Sequence, residues 1–196
     1  MEDPRQLGVK LKLQIDVVLH HDELGRYDVE QRLFVRKRRG ESMQHVVMKL
    51  LSYLLFYRDD LEIEAGVGQH YKPDLVSVDE RGDPVVWIDC GTTSLKKLES
   101  LVSSNPDTEI VIVKQREGEL RRYAREAQQR LGQEASVQFV AFGDNLVDRL
   151  ARMLGGRHRL EATVPEGMGE VYLSVDGREI RGEVVGESES RRVGEL

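Results

Sequence analysis

The chain has few of the residues that would cross-link it or anchor it in a membrane. Its 196 residues include one cysteine, Cys90, so no disulfide can form within the chain. No apolar run approaches the roughly 20 residues needed to span a bilayer. The first residues lack the apolar core of a signal peptide. These absences predict a cytoplasmic protein that has no membrane segment.

Negative charge outweighs positive charge in this chain. The chain has 29 lysines and arginines against 35 aspartates and glutamates, and its formal net charge is −6. Such a protein has little indiscriminate affinity for nucleic acid, because phosphate neutralisation drives that kind of binding. Four cations nevertheless follow one another: Arg36, Lys37, Arg38 and Arg39. We expect them to be a nucleic-acid-binding segment; the alternative is an ordinary solvated loop.

The most informative pattern is a pair of aspartates on two short apolar segments. Asp74 follows Pro73 at the start of one segment, and Asp89 lies near the end of the next. The residues at 79–84 are typical of a turn, so an antiparallel hairpin can place the two aspartates side by side. Two like charges at a buried position are unfavourable unless a cation or a proton lies between them. The pair is therefore a candidate Mg²⁺ site.

Apolar spacing predicts an α/β protein with a mixed (α+β) sheet. An N-terminal β-hairpin comes first, alternating strands and helices then predict parallel neighbours, and three antiparallel strands end the fold. We expect one domain over residues 1–185 and a disordered tail over 186–196, where little can be buried. Beside the hairpin around residues 74–90, the predicted strands are 10–20, 28–36, 61–64, 108–113, 137–142, 159–164, 170–175 and 178–185. The predicted helices are 42–57 with Ser42 as N-cap, 93–103 with Thr92 or Thr93 as cap, 117–131 and 145–154.

In order and spacing, these segments resemble the bacterial YaeQ family, a divergent branch of the PD-(D/E)XK nuclease-like superfamily. The resemblance covers the helix at 43–56, the segment 61–63, the proline–aspartate and acid–x–glycine motifs, and C-terminal segments at 158–163 and 170–177. It implies a restriction-endonuclease-like core and Mg²⁺-dependent hydrolysis of phosphodiesters. The implied metal ligands are Asp74, Asp89, the backbone carbonyl of Cys90, and Gln44 on the first helix.

The chain lacks one residue of the superfamily motif. Active nucleases of this superfamily carry a lysine two positions after the second acid, where this chain has Gly91. A glycine supplies neither charge nor proton, so catalysis would need a lysine from elsewhere. The candidates are Lys96 and Lys97 on the following helix and Lys114 at the end of the next strand. Gln44 stands where the family more often has an acid, which reduces the acidic cluster further.

Three interpretations stay open at this point. The first is an Mg²⁺-dependent nuclease in which Asp74 and Asp89 hold the ion and Lys96 or Lys97 positions the attacking water. The second is a nucleic-acid-binding or protein-interaction module that keeps the nuclease fold without hydrolysis. In the third, the aspartates cap turns or pair with Lys72 and Lys96. The deciding observation is whether the two carboxylates share the reach of one cation, with a lysine amine close by.

Overall fold

The computed structural model describes residues 9–131, 137–167 and 169–188 and divides the chain into two compact units. The first unit comprises residues 1–56 and 142–184, and the second comprises 57–141 and 185–196. Two compact units can belong to one domain, so the single domain over 1–185 stays a prediction. The predicted tail begins within a strand that ends at Ser188, and residues 189–196 lie outside the described residues.

Every predicted helix and strand is present in the predicted order, which gives a mixed α+β fold. Within the described residues no helix is long and apolar enough to cross a membrane. In chain order the elements are β1 (Val9–His21), β2 (Arg26–Arg38), α1 (Met43–Leu55), β3 (Glu62–Ile63), β4 (Leu75–Val78), β5 (Pro84–Cys90), α2 (Leu95–Ser104), β6 (Glu109–Lys114), α3 (Glu117–Leu131), β7 (Val137–Phe142), α4 (Leu146–Met153), β8 (Arg157–Val164), β9 (Glu170–Val175) and β10 (Arg178–Ser188).

The first unit is built on a sheet with the strand order β2-β1-β8-β9-β10. β1 pairs antiparallel with β2 and parallel with β8, and the pairs β8–β9 and β9–β10 are antiparallel. Alternate residues of β1 are buried, because successive side chains of a strand point to opposite faces. The sheet packs against α1, which in turn contacts α4, and the outer face carries the charged residues; the buried residues of β1 are Leu13, Ile15, Val17 and Leu19.

Helix α1 begins after the predicted cap, since the Ser42 hydroxyl accepts a hydrogen bond from the His45 N–H at 3.1 Å. Its apolar stripe is buried as predicted, but Lys49 on the same helix is only 1% exposed. The Lys49 ammonium lies 2.6 Å from a carboxylate oxygen of Glu41. A buried lysine is unfavourable unless it is paired, so Glu41 explains how this helix tolerates a charge.

The second unit has the strand order β7-β6-β5-β4-β3. β4 and β5 form the predicted antiparallel hairpin, with Leu75 opposite Ile88, and β5, β6 and β7 are parallel as expected. Helices α2 and α3 pack together and bury Leu98 and Leu101 of α2 in the core that includes Trp87. This arrangement places the end of β5 beside the start of α2.

The cap of α2 differs from the prediction. The residue before the helix is Ser94, whose hydroxyl accepts a hydrogen bond from the Lys97 N–H at 3.1 Å. Thr92 and Thr93 were the expected caps, and that expectation is wrong: Thr93 is buried and Thr92 lies too far from the first turn. The sequence offers three adjacent hydroxyl residues, and local pattern does not choose among them.

Candidate functional site

The hairpin of the second unit brings Asp74 and Asp89 side by side. The N–H of Asp74 donates to the carbonyl of Ile88 at 3.0 Å, which places Asp74 next to the register position of Asp89. One carboxylate oxygen of Asp74 accepts a hydrogen bond from the Cys90 N–H at 2.8 Å. The carboxylates are close enough for the charge of Asp74 to raise the pKa of Asp89. The local turn chemistry of residues 79–84 is what sets this register.

Asp89 is a buried carboxylate, 2% exposed, with a contact on each of its oxygens. Oδ1 accepts a hydrogen bond from the indole N–H of Trp87 at 3.2 Å. Oδ2 lies 2.5 Å from the ammonium nitrogen of Lys97. Burial raises the pKa of Asp89, Lys97 opposes that rise, and the charge of Asp74 adds to it. The positive charge that this carboxylate requires is therefore present within the chain.

Of the two lysines predicted at the start of α2, Lys97 reaches the site and Lys96 is exposed. Neighbouring residues on a helix point about 100° apart, since there are 3.6 residues per turn. Lys97 lies four residues before the buried Leu101, whereas Lys96 lies four residues before the exposed Ser100. This spacing was the sequence signal that distinguishes the two lysines.

Lys114, the third predicted lysine, is also near Gly91. It is 6% exposed, and its ammonium donates to the carbonyl oxygen of Gly91 at 2.6 Å. The same ammonium lies 3.8 Å from the ring centroid of Tyr123. Burial lowers the pKa of Lys114 to about 8, although the charges of Glu119 and Asp89 oppose this. A lysine ammonium thus stands beside the position where the resemblance places the missing lysine.

Sequence alone assigned no role at this site to two aromatic residues, Trp87 and Tyr123. Trp87 lies two residues before Asp89 on β5, so both side chains share a face of the strand, which the period of two predicts. Tyr123 has a buried hydroxyl that finds no hydrogen-bond partner within the described residues. Burial and then the nearby charge of Asp89 raise the pKa of Tyr123. Trp87 therefore contacts Asp89 directly, whereas the ring of Tyr123 lies against the ammonium of Lys114.

The other two predicted metal ligands have different surroundings. Cys90 has a buried side chain, as expected, so only its backbone is a candidate for a metal ligand. Gln44 belongs to the first unit, where its amide donates to a carboxylate oxygen of Asp148 on α4 at 3.2 Å. The role of Gln44 as a metal ligand stays a prediction.

The four predicted nucleic-acid-binding cations lie in the first unit and do not share one face. Arg36, Lys37 and Arg38 are the last residues of β2, and Arg39 is in the turn that follows. Because side chains alternate along a strand, Arg36 and Arg38 are exposed on the outer face, whereas Lys37 is half-buried on the other. The exposed Phe34 stands on the same face as Arg36 and Arg38.

This outer face has a basic end. Phe34 is 53% exposed, and the ammonium of Lys12 lies 4.7 Å from the centroid of its ring. Lys12 is opposite Arg36 in the β1–β2 register. Gln14 lies two residues after Lys12 on β1, and its side-chain oxygen accepts a hydrogen bond from Arg157 of β8 at 3.1 Å. We call Phe34, Lys12, Arg36, Arg38 and Arg157 the basic end of the sheet.

The other end of the same face is acidic. Arg32 and Asp16 form an exposed ion pair at 2.5 Å, and the hydrogen bond from Arg32 is the main cause that lowers the pKa of Asp16. Glu30 and Glu161 follow further along β2 and β8. A depression of about 450 Å³ lies at this acidic end; Asp16, Val17, Val18, Glu30, Gln31, Arg32 and Arg159 line it.

Comparison with known proteins identifies the family of this chain and two crystal structures with a similar fold. The family model described as YaeQ protein matches residues 13–184. The chain belongs to the YaeQ family. The crystal structure of the YaeQ protein from Xanthomonas axonopodis pv. citri superposes with a TM-score of 0.76 at 18% identity, covering 90% of this chain and 97% of that one. The YaeQ protein from Pseudomonas syringae gives 0.75 at 16%, covering 94% and 97%. No curated protein matches the chain.

In this YaeQ-family chain, the residues at the acid pair fit Mg²⁺ poorly. The ion prefers octahedral oxygen ligands, commonly one or two carboxylates plus waters. Both oxygens of Asp89 are already engaged, one by Trp87 and the other by Lys97. Within the described ranges, no group of three or more histidine, cysteine, aspartate or glutamate residues is arranged to hold a metal ion. The second unit thus neutralises Asp89 with an ammonium group.

Proposed function

We propose that the protein binds single-stranded nucleic acid at the basic end of the first unit's sheet, and that binding rather than metal-dependent hydrolysis is its activity. The observation that carries this proposal is an exposed phenylalanine, Phe34, on the outer face of the sheet, with Lys12 over its ring and Arg36 two residues further along the strand. Exposed aromatic rings among cations are how many sheet surfaces hold unpaired bases.

The ring of Phe34 offers a nucleic-acid base a surface on which to stack. Half of the Phe34 side chain is open to solvent, so one face or edge of the ring is available to a base. Stacking of a base on an aromatic side chain contributes about 1–3 kcal/mol and tolerates any base. The Lys12 ammonium near this ring adds a positive charge at the same place.

The cations near Phe34 are the proposed phosphate-binding residues. Arg36 and Arg38 follow Phe34 at intervals of two residues, which is roughly 7 Å per step along a strand. Arginine binds phosphate through a planar, bidentate group, and both of these residues are exposed. The acidic residues Glu30 and Glu161 at the far end repel phosphate. The charge gradient therefore confines a strand to the basic end despite the overall charge of −6.

The proposal is tested by fluorescence anisotropy of a labelled single-stranded oligonucleotide at two salt concentrations. The double variant Arg36→Gln, Arg38→Gln should bind about tenfold more weakly, and the slope of log K against log[salt] should fall by about 1–2. Phe34→Leu should weaken binding several-fold with little change in that slope, because it removes stacking and no charge.

The control variant is Arg122→Gln, which removes one exposed charge from α3 of the second unit. It should bind as the wild type does. The proposal is wrong if the double variant keeps wild-type affinity, or if the wild type shows no binding at about 50 mM salt, where phosphate contacts are strongest.

The second candidate function is Mg²⁺-dependent hydrolysis of a phosphodiester on a restriction-endonuclease-like core. It is favoured by one observation: Asp74, Asp89, Lys97 and Lys114 come together at the end of β5. Cleavage of a nucleic acid in Mg²⁺ or Mn²⁺ that is lost in both Asp74→Asn and Asp89→Asn would establish it. The lysine already bound to Asp89 makes it the weaker candidate.

A further inference from the structure

We infer that the edge of β2 is a dimerisation surface, along which a second copy of this chain adds its own β2 in antiparallel orientation and extends the first unit's sheet. The observation that carries this inference is a charge pattern on β2 that is complementary to itself. The inference goes beyond nucleic-acid binding and stands without it. Because both use Phe34 and Arg36, a nucleic acid and the second copy should compete for this strand.

Strand β2 lies at one edge of the first unit's sheet and, within the described residues, pairs with β1 alone. It has 13 residues, which is long for an edge strand. Asp28 has a φ of 52°, so the regular part of the strand begins at Val29. From there to Lys37, alternate residues direct their backbone N–H and C=O groups away from β1, toward the open edge. Residues 29–37 can therefore pair with another strand.

The outer side chains of this segment change from acidic to basic along the strand. Glu30 is followed at intervals of two by Arg32, Phe34 and Arg36, and all four are exposed. In an antiparallel pair centred on Leu33, Glu30 lies opposite Arg36 of the second copy. Arg32 then lies opposite Phe34 of the second copy, where a guanidinium group and an aromatic ring attract each other. Two-fold symmetry forms each of these favourable cross-strand contacts twice.

The same charges oppose the neighbouring alignments. A shift of two residues in one direction places Arg32 opposite Arg32 of the second copy, and a shift in the other direction places it opposite Arg36. Parallel strands in register would place each charge opposite its own copy. Like charges directly opposite each other are destabilising, and the alignment centred on Leu33 avoids them. Charges on an edge strand commonly prevent pairing, but here they select one register.

The inner side chains of β2 are compatible with that register. Leu33 and Val35 are buried, and the strand contacts α1. Leu33 lies on the two-fold axis, opposite Leu33 of the second copy, and Val35 lies opposite Gln31. At each end, the half-buried Val29 lies opposite the half-buried Lys37, whose aliphatic stem can cover an apolar neighbour. The centre of the interface is therefore apolar on this face and charged on the other.

Sedimentation equilibrium of the full chain tests the inference at about 50 mM salt and roughly 100 μM protein, conditions that favour a small polar interface. The wild type should reach twice the monomer mass of 22.4 kDa. Glu30→Arg and Arg36→Glu should each raise the dissociation constant of the dimer by at least about tenfold, because each creates two pairs of like charges. The control is Glu161→Arg, which reverses an exposed charge on β8, away from the edge, and should dimerise as the wild type does.

A charge swap tests the register itself. An equimolar mixture of Glu30→Arg and Arg36→Glu should form heterodimers, because residue 30 of each copy then meets an opposite charge at residue 36 of the other. The double variant Glu30→Arg, Arg36→Glu should form homodimers with an affinity close to that of the wild type. A dimer built on another surface would show neither recovery.

The inference is overturned if the wild type stays monomeric, if either single variant dimerises as tightly as the wild type, or if the mixture of two variants stays monomeric. Circular dichroism confirms that each variant is folded, as expected for substitutions at exposed positions. These masses are measured without nucleic acid, so they do not depend on the proposed function. Glu30→Arg also separates the two: it should lose the dimer and still bind the labelled oligonucleotide at least as tightly as the wild type.

Discussion

Each of the two units contains an ion pair with the same short contact, but the two pairs differ in their exposure to solvent. Arg32 and Asp16 on the first unit's sheet are 2.5 Å apart, and so are Lys97 and Asp89 in the second unit. The first pair has side chains 61% and 40% exposed, whereas the second has side chains 21% and 3% exposed. Water and salt screen the first pair but scarcely reach the second.

Burial, rather than distance, determines how much an ion pair contributes to stability. An exposed pair contributes little, because water replaces either partner at low cost. In a buried pair, the loss of one partner leaves a charge without compensation. The exposed charges of the first unit are therefore free to exchange partners with a ligand, and the buried pair of the second unit fixes its own state.

Removal of the cation from each pair should separate the stabilities of the two pairs most strongly. Lys97→Gln should lower the free energy of unfolding by about 3 kcal/mol in metal-free buffer, because Asp89 is left buried and unpaired. Arg32→Gln should cause no comparable loss, because solvent replaces the guanidinium. Urea denaturation followed by circular dichroism measures both. Equal losses in the two variants would contradict the comparison.

A smaller effect is expected from the second buried cation, Lys114. Its pKa falls from 10.5 when exposed to about 8 in the folded protein. Between these values the unfolded chain binds more protons, so this residue makes the free energy of unfolding rise as the pH increases. Lys114→Met should remove a rise on the order of 2 kcal/mol across that window.

This prediction is measured as the difference between wild type and Lys114→Met in urea denaturation at pH 7.5 to 10.5, so that other titrating groups cancel. Lys12→Met, which removes an exposed lysine, is the matched control and should leave the pH dependence unchanged. A wild-type curve parallel to that of Lys114→Met would show that Lys114 has an ordinary pKa.

The least pronounced difference between the two ion pairs should be how their coupling energies respond to salt concentration. Raising the salt concentration to about 1 M reduces the Debye length to roughly 3 Å and screens exposed charges. The coupling between Arg32 and Asp16, measured by a double-mutant cycle, should disappear, and that between Lys97 and Asp89 should persist. Loss of both couplings would mean that solvent reaches Asp89.

Much of the fold follows from local sequence. The bounds of α3 and β7 match the prediction, because residue periodicity and the glycine after Leu131 define them. The hairpin of β4 and β5 also follows from its turn residues. The parallel pairing of β1 with β8 was not predicted, since it joins residues such as Gln14 and Arg157 that are far apart in sequence.

The candidate site was predicted in outline. The motif spacing identified the aspartates and offered three lysines, and the helical spacing to Leu101 favours Lys97 over Lys96. That Lys97 pairs with Asp89 depends on tertiary packing, which sequence pattern does not contain. The same limit applies to Lys49, a lysine within an apolar stripe whose partner Glu41 lies before the helix.

The most direct test of the internal counter-ion is the ammonium signal of Lys97 in ¹H–¹⁵N NMR of the metal-free wild type. Held by Asp89, its ammonium protons should exchange slowly with water and give a visible cross-peak that disappears in Asp89→Asn, while exposed Lys96 gives none. A Lys97 ammonium that exchanges as fast as that of Lys96, or a cross-peak unchanged in Asp89→Asn, would contradict the account.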